Sequence, residues 1–139
     1  MNTKQVIVIR KDLNMRKGKM IAQGSHASMA FLTKQGGLYC NLGTGLKPVD
    51  YFMTEVNEDQ VNEIGHWLRN SFRKICVYVN SEEELVAVHQ KALDSGLITH
   101  IVEDNGLTEF HGVKTLTCCA IGPAYDKKFE GITDHLPLL

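Results

Sequence analysis

The strongest constraint on the fold is a strand pattern near the N-terminus that passes directly into a helix pattern. Residues 6–9 are four consecutive β-branched residues, Val-Ile-Val-Ile, as in a strand that is buried on both faces. A basic turn that contains Gly18 follows, and apolar or small residues then recur at helical spacing. We therefore expect a strand over about residues 5–10 that leads straight into a helix N-terminus.

The rest of the chain continues this alternation. Helix starts are expected at Asn57 and Ser81, because each is followed three positions later by Gln or Glu, as in a capping box. Alternating strands and helices predict a layered α/β sheet in one domain over residues 1–139. Further strand patterns lie at residues 75–79, 98–102 and 116–121.

Apolar spacing also predicts which side of each helix is buried. The residues between the first two helices, 36–53, contain four glycines and no clear periodicity, so we expect a long loop within a Gly-rich insertion around 36–56. Gly122 and Pro123 are expected to end the last strand. The inward residues of the first helix are expected to be Met20, Ile21, Gly24, Ala27, Ser28, Phe31 and Leu32. Those of the second are Val61, Ile64 and Leu68, flanked by Trp67.

Charge is nearly balanced over the whole chain but not near its N-terminus. The formal net charge of −1 argues against a protein that coats nucleic acid by overall attraction. Of the 15 Lys and Arg residues, 6 lie in the first 19 positions, beside a single acid, Asp12. Basic residues at a helix N-terminus oppose the helix dipole, so this junction is expected to hold a negative ligand, such as a phosphate or a developing oxyanion. The alternative is a solvated basic helix start.

Two familiar site patterns are excluded in the same segment. Lys17-Gly18-Lys19 lacks the GxxxxGK[ST] spacing of a phosphate-binding loop, which argues against a nucleoside triphosphate site. Ser25 and His26 are adjacent, and adjacent helical residues project about 100° apart, so they do not form a nucleophile and base. The other histidines show no HxxxH or HExxH spacing, and we assign no metal.

The four cysteines also show no metal-binding or redox motif. We expect free, mostly buried thiols in a reducing compartment, with Cys118 and Cys119 on opposite faces of a strand. The sequence contains no signal-peptide pattern and no apolar stretch long enough to span a membrane, so we expect a cytoplasmic protein. A thiol-dependent hydrolase or redox protein that uses Cys118 or Cys119 is disfavoured, because no basic partner flanks either residue in a predicted loop.

A second polar segment, residues 103–108, follows the third strand pattern. Its Asp-Asn-Gly core is an ordinary turn sequence, and alone it would be interpreted as a turn. In open α/β sheets, however, ligands gather at strand ends. An acid at this strand end, opposite the lysines of the basic junction, is therefore a candidate site.

Together these segments resemble the type 2 peptidyl-tRNA hydrolases of archaea and eukaryotes. The family reads approximately D-L-x-M-G-K-G-K-x-A-A-Q-x-x-H-A where this chain has DLNMRKGKMIAQGSHA. Later segments IVEDNGLTEF and TCCAIGP match I-x-D-A-G-x-T-x and T-V-L-A-I-G-P, in the same order. The resemblance covers residues 4–35 and 66–139.

The resemblance implies a three-layer α/β/α fold with a four-stranded mixed sheet, usually as a homodimer, that needs no metal or cofactor. It implies hydrolysis of the ester between a peptide, or an N-blocked amino acid, and the 3′ end of tRNA. A non-catalytic module that binds RNA ends or a protein is the alternative. The implied catalytic residues are Lys19, Asp104, Thr108 and Thr117. Candidates for substrate and tRNA binding are Arg10, Lys11, Arg16, Lys17, Gln23 and His26.

This chain departs from the family pattern at several positions. Arg16 replaces a glycine, and Asn105 replaces the usual alanine. The segment before Thr117 is one residue longer, so Thr115 competes for the second threonine role. Whether burial raises or the nearby lysine lowers the pKa of Asp104 stays open at this level.

Overall fold

The computed structural model describes residues 2–39, 50–53 and 55–139, with only the backbone described for 36–39 and 50–53. Short 3₁₀ turns follow the first and last strands, at Lys11–Leu13 and Asp126–Phe129. In chain order the elements are strand β1 (Thr3–Arg10), helix α1 (Lys17–Lys34), strands β2 (Gly36–Tyr39) and β3 (Asp50–Met53), helix α2 (Glu58–Arg69), strand β4 (Lys74–Val79), helix α3 (Glu82–Asp94), and strands β5 (Thr99–Asp104) and β6 (Thr115–Tyr125).

Four of the strands form one mixed sheet in the order β4-β1-β6-β5. Strand β1 pairs parallel with β4 and antiparallel with β6, and β6 pairs antiparallel with β5. Strand β5 therefore runs in the same direction as β1 and β4. The carboxyl ends of these three strands meet at one end of the sheet, which is also the end where α1 begins.

Helices cover both faces of this sheet, so the expected three-layer α/β/α architecture with a four-stranded mixed sheet is confirmed. Ile7 and Ile9 pack with Ala27 of α1 on one face. Val6 and Val8 pack on the other face against α3 and the C-terminal segment. Because alternate strand residues point to opposite faces, Cys118 joins the first cluster and Cys119 the second, as predicted.

The predicted helix starts are confirmed by their capping hydrogen bonds. Asn57 Oδ1 accepts from the backbone N–H of Gln60, and Gln60 Oε1 accepts from that of Asn57. Ser81 Oγ accepts from the N–H of Glu84, whose carboxylate in turn accepts from the N–H of Asn80. These bonds satisfy backbone donors that have no partner within the helix.

The predicted buried faces are correct only in part. Ile21 is 70% exposed, and Val61 and Leu68 are each 49% exposed, so all three were wrongly placed inward. The buried side of α2 instead carries Trp67 and Glu63. Trp67 Nε1 donates to the carbonyl of residue 73, and the Glu63 carboxylate accepts from the backbone N–H of residue 125. These polar contacts determine which side of α2 faces the sheet.

Three other expectations about the chain are also corrected. Residues 36–53 are not only a loop, because β2 and β3 within them pair antiparallel, with Gly36 opposite Met53. Residues 40–49 and 54 of the expected 36–56 insertion, including Cys40, lie outside the described residues. Strand β6 does not end before Gly122 and Pro123 but continues to Tyr125, which pairs with Thr3 across a bulge. Cys76 was expected to be buried and is exposed.

The two edges of the sheet differ. The outer edge of β4 is covered by the last residues of the chain, because Tyr78 donates its N–H to Pro137 and Leu139 donates its N–H to Cys76. The outer edge of β5 pairs with no strand in the described part of the chain. Among the described residues, no helix is long and apolar enough to cross a membrane.

Candidate active site

An ion pair between Lys19 and Asp104 forms the centre of the site. Lys19 lies in the first turn of α1, and Asp104 is the last residue of β5. Lys19 Nζ lies 2.8 Å from Asp104 Oδ1, and the two side chains are only 13% and 14% exposed. The expected proximity of the acid to the basic junction is therefore confirmed.

The Asp104 carboxylate is held by three donors. Its Oδ1 accepts from Lys19 and, at 3.4 Å, from Gln23 Nε2, while its Oδ2 accepts from the backbone N–H of Gly106 at 2.9 Å. The hydrogen bond from Lys19 lowers the pKa of Asp104 below its ordinary value, against the opposing effect of burial. The Gly106 N–H and the nearby His26 lower the pKa further. Partners therefore prevail over burial, and the carboxylate is ionised at neutral pH.

A tight loop after β5 brings Thr108 to the same ammonium. Lys19 Nζ donates to Thr108 Oγ1 at 2.8 Å. The loop is closed by a hydrogen bond from the Gly112 N–H to the Gly106 carbonyl. Gly106 has φ +79°, and a Cβ there would lie 2.4 Å from the carbonyl oxygen of Val113, so only glycine fits. The Asp-Asn-Gly segment is thus both an ordinary turn and part of the site.

Thr117, and not Thr115, connects to this cluster. Thr117 is fully buried and donates its hydroxyl to Gln23 Oε1 at 2.6 Å. The amide of Gln23 is thereby oriented with its nitrogen toward Asp104. Thr115 instead donates to the carbonyl of Val113. Gln23 is itself buried and connects Thr117 to Asp104. The sequence analysis predicted it only as a residue that binds substrate or tRNA.

The four basic residues expected to bind tRNA differ in exposure and in their contacts with other protein groups. The Arg10 guanidinium donates to the Asp12 carboxylate and to the carbonyl of residue 116, and the Asp12 hydrogen bond raises its pKa. Lys11 Nζ lies 4.4 Å from the centroid of the Tyr78 ring. The remaining two, Arg16 and Lys17, are exposed at the start of α1.

The charge at this helix N-terminus is balanced partly within the protein. Asp104 pairs with Lys19, and Glu109, which sequence reasoning missed, pairs with Arg16 at 2.9 Å. Lys17 has no ion-pair partner among the described residues. Negative charge at this helix N-terminus is therefore supplied by the end of β5 and the loop that follows it, and need not come from a ligand alone.

Other reactive side chains do not form a competing site. Ser25 donates its hydroxyl to the carbonyl of Ile21, so no Ser–His dyad forms, and His26 is exposed on α1. Burial raises the pKa of the Cys118 thiol to about 11 and also raises the pKa of Cys119. Both thiols are therefore protonated and poor nucleophiles. The described ranges contain no group of three or more His, Cys, Asp or Glu side chains placed to hold a metal.

Chemically, the cluster combines a fixed cation with a fixed anion, both only slightly exposed. An ammonium has three N–H donors, and two of those on Lys19 go to Asp104 and Thr108. The third can meet a carbonyl oxygen on which negative charge develops. Asp104, ionised and adjacent, can hold a water molecule by accepting its hydrogen bond.

The chain is similar to known proteins along nearly its whole length. Residues 3–139 match the family described as peptidyl-tRNA hydrolase PTH2. The chain is 39% identical over 137 residues to a peptidyl-tRNA hydrolase of Methanocaldococcus jannaschii, covering 98% of this chain and 99% of the relative. It is 36% identical over 138 residues to that of Methanopyrus kandleri, covering 98% and 97%. For that of Nanoarchaeum equitans the identity is 35% over 135 residues, with 97% of each chain covered. The chain therefore belongs to the peptidyl-tRNA hydrolase PTH2 family.

Proposed function

We propose that this protein hydrolyses the ester between a peptide, or an N-blocked amino acid, and the 3′ ribose of tRNA. The observation that carries the proposal is the Lys19–Asp104–Thr108 cluster, with both Lys19 contacts at 2.8 Å, in a chain of this family. The alternative, a binding module without turnover, is not favoured, because all four residues that match the family motif are present.

The reaction adds one water molecule across the ester. The water oxygen attacks the carbonyl carbon, and the tetrahedral intermediate that forms carries a negative oxygen. The bond from carbon to the ribose oxygen then breaks, and the ribose oxygen takes a proton that originates from water. The products are a peptide carboxylate and tRNA with a free 3′ hydroxyl, and the second proton of the water is released to solvent.

We assign Lys19 to the developing oxyanion and Asp104 to the water. A general base is most effective when its pKa lies near the working pH, whereas the lowered pKa of Asp104 makes it a weak base. Asp104 therefore orients the water and fixes the ammonium. Thr108 holds Lys19 from the other side, at 2.8 Å.

Thr117 acts as a positioning residue. Its hydroxyl is buried and reaches Asp104 only through the Gln23 amide, at 2.6 Å and then 3.4 Å. A buried hydrogen-bond chain of this kind restricts the carboxylate to one orientation. His26, which is exposed beside Asp104, remains a candidate for contact with substrate.

Recognition of tRNA is assigned to the exposed basic residues at the start of α1. Lys17 is the best candidate for a phosphate, because it is exposed and has no ion-pair partner among the described side chains. Arg16 directly precedes it, Lys11 lies six positions before it, and both are also exposed. Arg10 is the weakest of the four, since all three of its guanidinium nitrogens already donate to protein oxygens.

A homodimer is proposed from the side of α1 that faces β4. A groove of about 610 Å³ lies there between α1 and β4, and its exposed surface is almost entirely apolar. Ile21, Met29, Phe72 and Leu139 line it and are 48–70% exposed. Contiguous apolar surface of this kind marks protein interfaces, and a second copy of the chain would cover it.

The proposed substrate also suggests where the protein works. Peptidyl-tRNA arises in translation, so we propose a cytoplasmic protein, which cell fractionation would test. The unpaired thiols of Cys118 and Cys119 fit a reducing compartment.

Replacing Lys19 is expected to abolish most turnover. With N-acetyl-aminoacyl-tRNA as substrate, Lys19→Ala should lower kcat about 100- to 1000-fold, the usual effect of removing an oxyanion donor. Release of free tRNA measures the rate, and circular dichroism checks the fold. Lys91→Ala, at an exposed position on α3, is the matched control and should keep wild-type turnover. Near-normal turnover of Lys19→Ala would contradict the assignment.

The pKa of Asp104 should stay below its ordinary value and depend on Lys19. Carboxyl ¹³C NMR titration should show Asp104 ionised at every pH above the ordinary carboxyl range. In Lys19→Met the pKa should rise, because the main cause of the lowering is gone. A lowered carboxyl pKa stabilises the folded protein at pH values above the ordinary pKa of the group, and this contribution is lost as the pH falls through the folded-state pKa. An Asp104 pKa above the ordinary value in wild type would refute this picture.

Binding of tRNA should depend modestly on salt. Each phosphate contact contributes roughly 0.7–0.9 to the log–log slope of affinity against salt, so Lys17→Ala should reduce the slope by about that amount. Filter binding of deacylated tRNA from low to moderate salt measures it. Lys127→Ala, an exposed lysine after β6, is the control and should leave the slope unchanged. Salt-independent binding of the wild type would rule out phosphate recognition here.

Ile21→Glu should weaken self-association. The side chain is 70% exposed in one copy, so the charge is tolerated by the fold but not by an apolar interface. Sedimentation velocity should show a dimer for wild type and a shift to monomer for the variant. Val86→Glu, at an exposed apolar position on α3, should remain dimeric. A monomeric wild type at all concentrations would eliminate the dimer.

A further inference from the structure

A second groove lies next to the proposed active site, along the edge strand β5. This groove, the α1–β5 trough, has a volume of about 860 Å³. Ala22, His26 and Thr33 line it from α1, and residues 100–103 line it from β5. Ala22 lies one turn after Lys19, and residue 103 directly precedes Asp104. The trough therefore opens beside the ion pair.

The trough reaches the backbone of β5 and not merely one of its faces. Successive residues of a strand point to opposite faces of the sheet. Four consecutive residues, 100–103, nevertheless line the same trough. A groove on the α1 side that is lined by four consecutive residues of an edge strand reaches the strand backbone, whose N–H and C=O groups point outward at alternate residues.

This edge is open, whereas the other edge of the same sheet is covered. Residues 137–139 hydrogen-bond to the outer edge of β4. Within the described ranges no segment pairs with the outer edge of β5. Proteins often protect an exposed edge with lysine, proline or a covering segment, and β5 (THIVED) has neither of these residues. A bulge lies between Val102 and Glu103, near the end of the strand, and leaves the edge before it regular. That part of the edge is suited to pairing with an extended ligand.

The trough extends along α1 to Lys34, the last residue of the helix. Lys34 and His100 also line a further cavity of about 320 Å³, so the two spaces adjoin. From Asp104 back to His100 the strand spans about 13 Å, which is the length of about four extended residues.

We propose that the peptide of peptidyl-tRNA lies in the α1–β5 trough as an added strand, hydrogen-bonded through its main chain to β5. This inference rests on the proposed hydrolysis and specifies how that site recognises the peptide. The ester carbonyl is the C-terminal end of the peptide and must lie at Lys19, so the peptide runs parallel to β5. Main-chain pairing does not read side chains, which suits an enzyme that accepts peptides of many sequences.

The length of the peptide provides the first test. Hydrolysis of N-acetyl-oligoalanyl-tRNAs with one to six alanines should show kcat/KM rising with length until the β5 edge is filled. The rise should come from a fall in KM and not from a change in kcat, because the added contacts are the same in ground and transition states. Loss of one or two such hydrogen bonds corresponds to about tenfold.

Two tryptophan substitutions act as position markers along the trough. Ala22 and Thr33 are exposed and 11 residues apart on α1, which is about 16 Å along the helix and about five extended residues of peptide. Ala22→Trp should raise KM about tenfold for substrates of two residues or more. Thr33→Trp should do so only for the longest substrates. Ala87→Trp, at an exposed position on α3, is the matched control and should change nothing.

Backbone methylation tests the pairing itself. In a parallel pair only alternate peptide N–H groups point to the neighbouring strand. N-methylation of successive alanines in the tetra-alanyl substrate should therefore raise KM at every second position only. Equal effects at all positions, or none, would overturn main-chain pairing.

The outcomes separate this inference from the proposed function. If the Trp variants slow the one-residue and six-residue substrates equally, the trough holds the RNA end, and the peptide proposal is wrong. If neither variant slows any substrate, the trough has no role in binding, and the proposal is again wrong. A wild-type protein that cleaves none of these substrates would instead reject the hydrolase function itself.

Discussion

The ion pair between Lys19 and Asp104 is the contact on which the rest of the site depends. It joins the first turn of α1 to the last residue of β5, 85 positions away in the chain. Through it, the helix accepts a cation at its positive end, because a carboxylate lies 2.8 Å away. The same carboxylate organises the surrounding groups, since Gln23 and the Gly106 N–H both donate to it. Removing either charge would leave its partner largely buried and uncompensated.

The sheet supplies two different grooves because its two edges are different. Helix α1 lies over the centre of one face and leaves space on both sides. The space beside β4 is apolar, and the end of the chain already covers that edge. The space beside β5 lies next to the ion pair and runs along an edge with which no described strand pairs. Self-association and peptide recognition are therefore proposed on opposite sides of the same helix.

Sequence patterns predicted the local structure where the cause is local. The caps at Asn57 and Ser81 form as expected, because each bond joins residues three positions apart. Helix faces were predicted less well. Ile21 is apolar but exposed, while Glu63 is charged but buried, because the Tyr125 N–H and Lys128 satisfy its carboxylate. Periodicity alone does not reveal such partners, which come from the far end of the chain.

The sequence by itself determined the order of strands and helices, the basic junction and the motif residues that identify the family. These depend on near neighbours and on residue identity. Only the tertiary structure decided that the pKa of Asp104 is lowered, that Thr117 and not Thr115 joins the cluster, and that Arg10 is already occupied. Each of these depends on distances between groups far apart in the chain, which are set by how the helices pack on the sheet.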